Sequence, residues 1–317
     1  MGARKVSYSR RYLHLRLSRC TGRRSVMRRL RAYVLAICLG HVASVDAQSP
    51  APEQAQNVAN TGTYNSSDLP SNNIPDACSP ASSSQHELDT DALSHALISP
   101  SREVTDYLRD ETRKPIQTLT FLGLKRGMRV LDLYAAGGYY TFILAKAVGE
   151  NGCVIAQNTQ RGLAFIEDRQ AITQGEALET KIRAGNLTNV VQLITPTTAL
   201  GLAPESLDFI LLTLTLHDYA NPNPERAKAL LATLYSLLRS GGILGVSDHI
   251  GDTDNNNSAL HRMPQEQAMA LAREAGFEVT TSDLLNVHTD DHSRSIFDPR
   301  LARNTDRFLL RLQKPER

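Results

Sequence analysis

Two dipeptides of opposite order carry the groups in this chain best suited to proton chemistry. His217-Asp218 follows one apolar run and Asp248-His249 follows the next. A hydroxyl or amine nucleophile must lose a proton as it reacts, and an imidazole near neutral pH can take it. His217 is the first candidate for such a base, and Asp218 for orienting it or touching a substrate. His249 faces the same rim. A purely structural His217, closing the strand end, is the competing expectation. His261-Arg262 stands next in the chain, as a wall of the site or a contact for an acidic group. Several of these residues are metal-ligand types. Adjacent HD and DH pairs do not both point inward easily, and their spacing matches no ligand pattern, so the expectation is no metal.

A third stretch, RVLDLYAAGGYYT at residues 129–141, joins an apolar run to small residues and then to a helix pattern. A buried parallel strand feeding a glycine-containing turn and a helix N-terminus is a ligand-binding corner of a doubly wound α/β sheet. Gly137 and Gly138 permit close approach of backbone to a ligand. Asp132 either orders the turn or works on a ligand. Tyr139 and Tyr140 stack on a ligand or pack around the turn, with packing favoured for Tyr140.

The elements that must position these groups alternate. Helices are predicted at 91–98 and 101–122, the latter kinked or restarted at Pro115. Strands are predicted at 129–133, 153–157, 190–194, 208–214 and 243–247. Helices fall at 140–148, within 162–183, at 224–238 and at 264–275. Two closing strands, 277–281 and 307–313, have no helix between them and can pair antiparallel. The fold class is therefore α/β: a doubly wound, mostly parallel, seven-stranded Rossmann-like sheet with an antiparallel end strand.

The turn at 129–141, the segment SLDFILLTLTLHDY at 206–219 and the segment SLLRSGGILGVSDH at 236–249 resemble class I S-adenosylmethionine-dependent methyltransferases over residues 112–314. More narrowly, DETRKP at 110–115 and IFDPRLARNTDRFLL at 296–310 are similar to a group of bacterial, often exported, methyltransferases. The resemblance implies S-adenosylmethionine as cofactor, held by Asp132, Tyr134, Gly137, Gly138, Tyr139, Asn158 and Thr195, with His217, Asp218 and His249 on the catalytic side. The chain departs from the general pattern at Tyr134 and Ala136, where glycines are usual. It departs again at Gln157-Asn158 and Thr195-Pro196-Thr197, where carboxylates usually meet the ribose and the adenine. Asn158 can accept one hydrogen bond there, without charge.

The function expected is methyl transfer to an unidentified small molecule. The alternative is a non-catalytic binding protein on the same fold in the periplasm. A nicotinamide-dependent enzyme is the third reading, disfavoured by the antiparallel ending and the absence of GxGxxG.

The front of the chain reads as delivery. Residues 1–31 hold eleven of the 35 basic residues and no acid, which leaves 24 basic against 33 acidic residues, a net of −9, for the remainder. That acidic remainder offers no footprint for nucleic acid. The apolar run AYVLAICLGHVA at 32–43 follows, then a small-x-small site before Gln48. Together they read as a signal peptide within 1–47, with Met27 as the better start and a membrane anchor as the alternative. The mature protein is expected in the periplasm without a stable membrane span. Residues 48–90 are polar and linker-like, and 91–317 form the methyltransferase-like domain. Of four cysteines, Cys20 and Cys38 lie in the head, Cys78 in the linker and Cys153 at a strand start, which does not look like a disulfide framework.

Overall fold

The structure is a computed structural model of the full chain. It describes residue 78 and residues 85–100, 102–167, 170–288, 290–302 and 304–316, all within one compact unit, Ser67–Arg317. The predicted signal peptide and most of the predicted linker lie outside the described residues.

In chain order the elements are α1 (Thr90–Leu97), α2 (Val104–Arg113), α3 (Pro115–Leu122), β1 (Arg129–Leu133), α4 (Tyr139–Val148), β2 (Cys153–Asn158), α5 (Gln160–Leu163), α6 (Gln174–Ala184) and β3 (Val190–Ile194). They continue with β4 (Leu207–Thr213), α7 (Leu216–Ala220), α8 (Pro224–Leu237), β5 (Leu238–His249), α9 (Asn257–Leu260), α10 (Gln265–Glu274), β6 (Glu278–Ser282) and β7 (Arg307–Gln313). The strands form one sheet in the order β3-β2-β1-β4-β5-β7-β6. The first five are parallel, and β7 runs antiparallel to both β5 and β6. Strand order reverses between β1 and β4, which opens a crevice at their carboxyl ends. The expected sheet, with its antiparallel end, is the one observed.

Side-chain alternation along the strands divides the core into two faces. Val130, Val154, Phe209 and Leu211 pack with α1, α3 and α4. Leu131, Ile155, Ile210 and Leu212 pack with α8 and α10. The same alternation sends Asp132 to the α4 face, where Thr141 Oγ1 donates to it at 2.6 Å.

The helix predicted at 101–122 restarts at Pro115, which opens α3, and Lys114 before it takes a left-handed φ of 40°. Three expectations change. The HD pair sits on a short helix, α7, rather than in a loop. The fifth strand starts at Leu238, directly after α8, and runs past the predicted 243–247 to His249. The reading of the cysteines is corrected. Cys78, 1% exposed in the core, is disulfide-bonded to Cys153 at the start of β2, with Cα atoms 5.4 Å apart. A pairing across 75 residues has no local signature, which is why spacing did not reveal it.

Candidate functional site

The turn after β1 keeps a glycine-like backbone without glycine side chains. Tyr134 and Ala136 have φ of 55° and 49°. These are the positions where the resembled family has glycine. Left-handed backbone costs an L-residue about 1–2 kcal/mol, and such strain persists where surrounding contacts fix it. The contacts here come from β2. Asn158 Oδ1 accepts from the Ala136 N–H at 2.9 Å, and its Nδ2 donates to the Ala136 carbonyl at 3.3 Å. Gln157 Oε1 accepts from the Tyr134 N–H at 3.1 Å, and its Nε2 donates to the Thr195 carbonyl at 2.7 Å. Gln157 is thus a neutral strut joining the ends of β1, β2 and β3. The predicted ribose acceptor Asn158 clamps the turn, and Thr195 uses its hydroxyl on the Ala199 carbonyl at 2.8 Å.

Gly138 carries a φ of 83° and opens α4, whose N-terminus has no side-chain cap. Its first amides lack intrahelical partners, as at any helix start, and the helix dipole favours an anion there. A Cβ added at Gly137 would fall 2.2 Å from Glu167 Oε2, so a carboxylate packs directly on this glycine. Glu167 pairs with Arg109 at 2.8 Å, and Arg109 with Asp106 at 2.7 Å. Lys181 donates to the Gly137 carbonyl at 2.9 Å and lies 3.6 Å from Asp106. Tyr139, buried, donates to Asp110 at 2.8 Å, and Arg113 lies over its ring at 4.4 Å. Sequence reasoning missed Glu167, Arg109, Asp106 and Lys181 altogether. For Asp106 and Arg109 the signal was the charge density of residues 102–113; Glu167 and Lys181 had none.

These features suit a zwitterionic, cationic cofactor. The open α4 end matches a carboxylate and Asp132 an ammonium or sulfonium, while Arg109 and Glu167 are paired with each other beside them. Asp132 is buried, and burial raises its pKa to about 7 although Thr141 and Arg113 act the other way. A positive ligand beside it would favour the ionised form.

A second group of side chains stands at the ends of β4, β5 and β7. The α7 helix begins after Leu214, itself left-handed at φ 56°, and presents His217, 3% exposed. Asp248 at the end of β5 is fully buried and takes two hydrogen bonds from that residue: Nδ1 to Oδ1 at 2.8 Å and the backbone N–H to Oδ2 at 2.9 Å. On the other ring edge, Nε2 lies 3.2 Å from Asp218 Oδ1. Burial opposes a charged ring, yet Asp248 and Asp218 outweigh it and raise the His217 pKa to about 10. Burial also opposes the charge on Asp218, but hydrogen bonds from His217 and His261 hold its pKa far below the usual range. His249 behaves oppositely. Burial, then Arg307, keep it uncharged, and its Nδ1 meets Thr305 Oγ1 at 2.7 Å.

Two arginines stand near this rim. Arg307 is buried at the start of β7, and burial with the neighbouring Arg113 lowers its pKa to about 10. Both line a small cavity with Tyr140, Thr213, Ser247 and Leu285. Arg262, expected to be available to an acidic substrate, is fully buried and paired with Asp290 at 2.6 Å. His261 beside it remains at the rim.

The predicted residues therefore fall into two groups. Asp132, Tyr134, Gly137, Gly138, Tyr139, Asn158 and Thr195 surround the β1 turn. His217, Asp218 and His249 gather at the ends of β4 and β5.

Comparison with known proteins adds a partial family match. The model of the protein-L-isoaspartate(D-aspartate) O-methyltransferase family (PCMT) matches residues 115–196. The matched stretch runs from α3 to just past β3. No curated protein matches the chain. Among solved structures, a SAM-dependent methyltransferase from Aquifex aeolicus is 21% identical, with 71% of this chain and 98% of that one covered at a TM-score of 0.48. An arsenic(III) S-adenosylmethionine methyltransferase from Chlamydomonas reinhardtii is 18% identical over 60% of this chain and 64% of that one, at 0.41. A possible exported protein from Bordetella parapertussis is 14% identical over 67% of this chain and 68% of that one, at 0.42.

Proposed function

We propose that this protein is an exported S-adenosylmethionine-dependent methyltransferase acting on a small molecule. One observation carries the reading. The stretch that matches the methyltransferase family model contains a turn held in glycine-like conformation by Gln157 and Asn158 despite non-glycine residues. Strained backbone of this kind, fixed by its surroundings, collects at ligand-binding turns, which supports a binding role for this one.

When bound, S-adenosylmethionine supplies an electrophilic methyl group. Gly137, Gly138 and the α4 amides would hold its amino-acid end and Asp132 would offset its positive charge, while Tyr134 and Tyr139 would wall the cradle and Asn158 and Thr195 would support it through the backbone contacts they already make. His217, Asp218 and His249 act on the acceptor, whose alignment with the methyl group is the larger part of the catalysis. Arg113 and Arg307 favour an acceptor bearing an anionic group. The family match stops at residue 196, before β4, so the acceptor of the matched family does not transfer to this chain. The net charge of −9 after the basic head supports a small molecule over nucleic acid.

Export rests on the basic head and apolar run at the start of the sequence. The Cys78–Cys153 disulfide supports it, since such bonds persist in oxidising compartments. No described helix is long and apolar enough to cross a membrane.

Calorimetry of the full chain with S-adenosylmethionine and with its demethylated product tests the reading. Micromolar binding of both is expected. Absence of binding at millimolar concentration overturns it.

A further inference from the structure

We infer that His217, Asp218 and His261 form a binding site for a divalent first-row transition-metal ion at the acceptor rim. One ligating atom from each of the three lies within 4.8 Å of the other two. His217 Nε2 and Asp218 Oδ1 are 3.2 Å apart, and Asp218 Oδ1 and His261 Nδ1 are 3.6 Å apart. Ligands about 2.1 Å from a tetrahedral ion stand about 3.4 Å from one another, between these two distances. Among the described residues, Asp218 forms ion pairs only with these two imidazoles, so no lysine or arginine competes for its charge.

The surroundings are those of a supported metal ligand set. Asp248 holds His217 through Nδ1, which fixes the ring and leaves Nε2 directed at Asp218. A carboxylate on the far nitrogen of a ligating histidine is the usual orienting partner in metal sites. The two chain segments that supply the ligands are braced together. Asn221, directly after α7, donates from Nδ2 to the Arg262 carbonyl at 2.8 Å, and Arg262 is anchored by Asp290. His261 holds a left-handed φ of 55° beside that anchor. A strained backbone at a rim residue fits a side chain kept in place for a purpose. The side chains grade from core to solvent: His217 4% exposed, His261 28% and Asp218 54%. The outward side is left for water or a substrate oxygen.

Two imidazole nitrogens and one carboxylate oxygen suit Zn²⁺, Co²⁺ or Fe²⁺ better than Mg²⁺ or Ca²⁺. An ion held here would bind an acceptor hydroxyl and make its proton easier to lose. This site does not depend on the methyl-transfer reading.

The test is titration of the full, untagged chain, stripped with chelator, with Co²⁺ and Zn²⁺. Visible absorption follows Co²⁺ and calorimetry follows both. One ion per chain with micromolar or tighter affinity is expected, bound with release of the His217 Nε2 proton to the buffer. His261→Asn, which tolerates the left-handed backbone, and Asp218→Asn should each weaken binding by at least about tenfold, and Asp248→Asn by about ten- to a hundredfold. His95→Ala, an exposed histidine of α1, should leave affinity unchanged. Circular dichroism confirms that each variant is folded. Absence of Co²⁺ binding at millimolar concentration, or binding that survives both His261→Asn and Asp218→Asn, overturns the inference. S-adenosylmethionine affinity on the same protein separates the two readings. Metal binding without cofactor binding removes the methyltransferase alone, and the reverse removes the metal site alone.

Discussion

The two halves of the crevice are built by different physics. On the cofactor side the rim is fastened by neutral amides, with Gln157 and Asn158 gripping backbone groups of the next loop. On the acceptor side it is fastened by carboxyl and imidazole side chains, with Asp248, His217 and Asp218 in series and the first two out of water. Neutral hydrogen bonds contribute about 1 kcal/mol each and leave the turn's shape fixed. Buried ion pairs add little net stability but are costly to break, because removal of one member strands the other. The first construction suits a cradle that must keep one shape. The second suits a place where charge is needed close to a reacting group. The family match covers only the first half, residues 115–196. Similarity to a known family thus bears on how a ligand is cradled and is silent on what is done to an acceptor.

The largest test of the contrast is Asp248→Ala. It leaves His217 buried without its main counter-charge and should cost about 3–5 kcal/mol in chemical denaturation. A loss below about 1 kcal/mol would mean that the acceptor side is held as the cofactor side is, by interchangeable hydrogen bonds.

Next in size is the pH response of the cofactor side. Burial raises the Asp132 pKa to about 7, so the empty site holds a neutral carboxyl below that pH. A cationic cofactor needs the ionised form. Affinity for S-adenosylmethionine should therefore rise about tenfold per pH unit up to about pH 7, then level off, a span of about a hundredfold from pH 5. Asp132→Asn should flatten the profile. Stability runs the other way: the unfolded carboxyl ionises in the ordinary range while the folded one resists. Native stability should fall between about pH 4 and 7, and the asparagine variant should not show that fall. A flat affinity profile in the unaltered protein would remove Asp132 from cofactor contact.

The smallest effect is expected at Ala136→Gly. Relief of the left-handed alanine is worth about 1–2 kcal/mol, and the added freedom of glycine in the unfolded chain offsets about 0.5–1 kcal/mol of it. A gain of up to about 1 kcal/mol in thermal or denaturant unfolding should result, with cofactor affinity unchanged. A clear destabilisation would show that the alanine methyl packs in the turn and that the conformation is not strained.

Much of this arrangement is visible in the chain before folding. The apolar runs of β1 and β4 and the small residues of the turn announce a parallel sheet with a ligand corner, and the HD and DH pairs fall at its rim. Other features leave no trace in sequence. Leu216–Ala220 is one turn and a half of helix, too short for an apolar period, so the HD pair reads as loop. Asn158 has the right chemistry to meet a ribose, yet only the fold shows its amide occupied by Ala136. Arg262 reads as a free cation until Asp290 is seen beside it.

Hydrophobic period and turn chemistry are local, so the chain alone specifies the sheet, the crevice and the groups at its two sides. Tertiary structure decided what those groups do to one another. His217 meets Asp248 across 31 residues and Arg109 meets Glu167 across 58. Protonation depends on burial and on neighbouring charge. Neither exists until the strand ends are brought together.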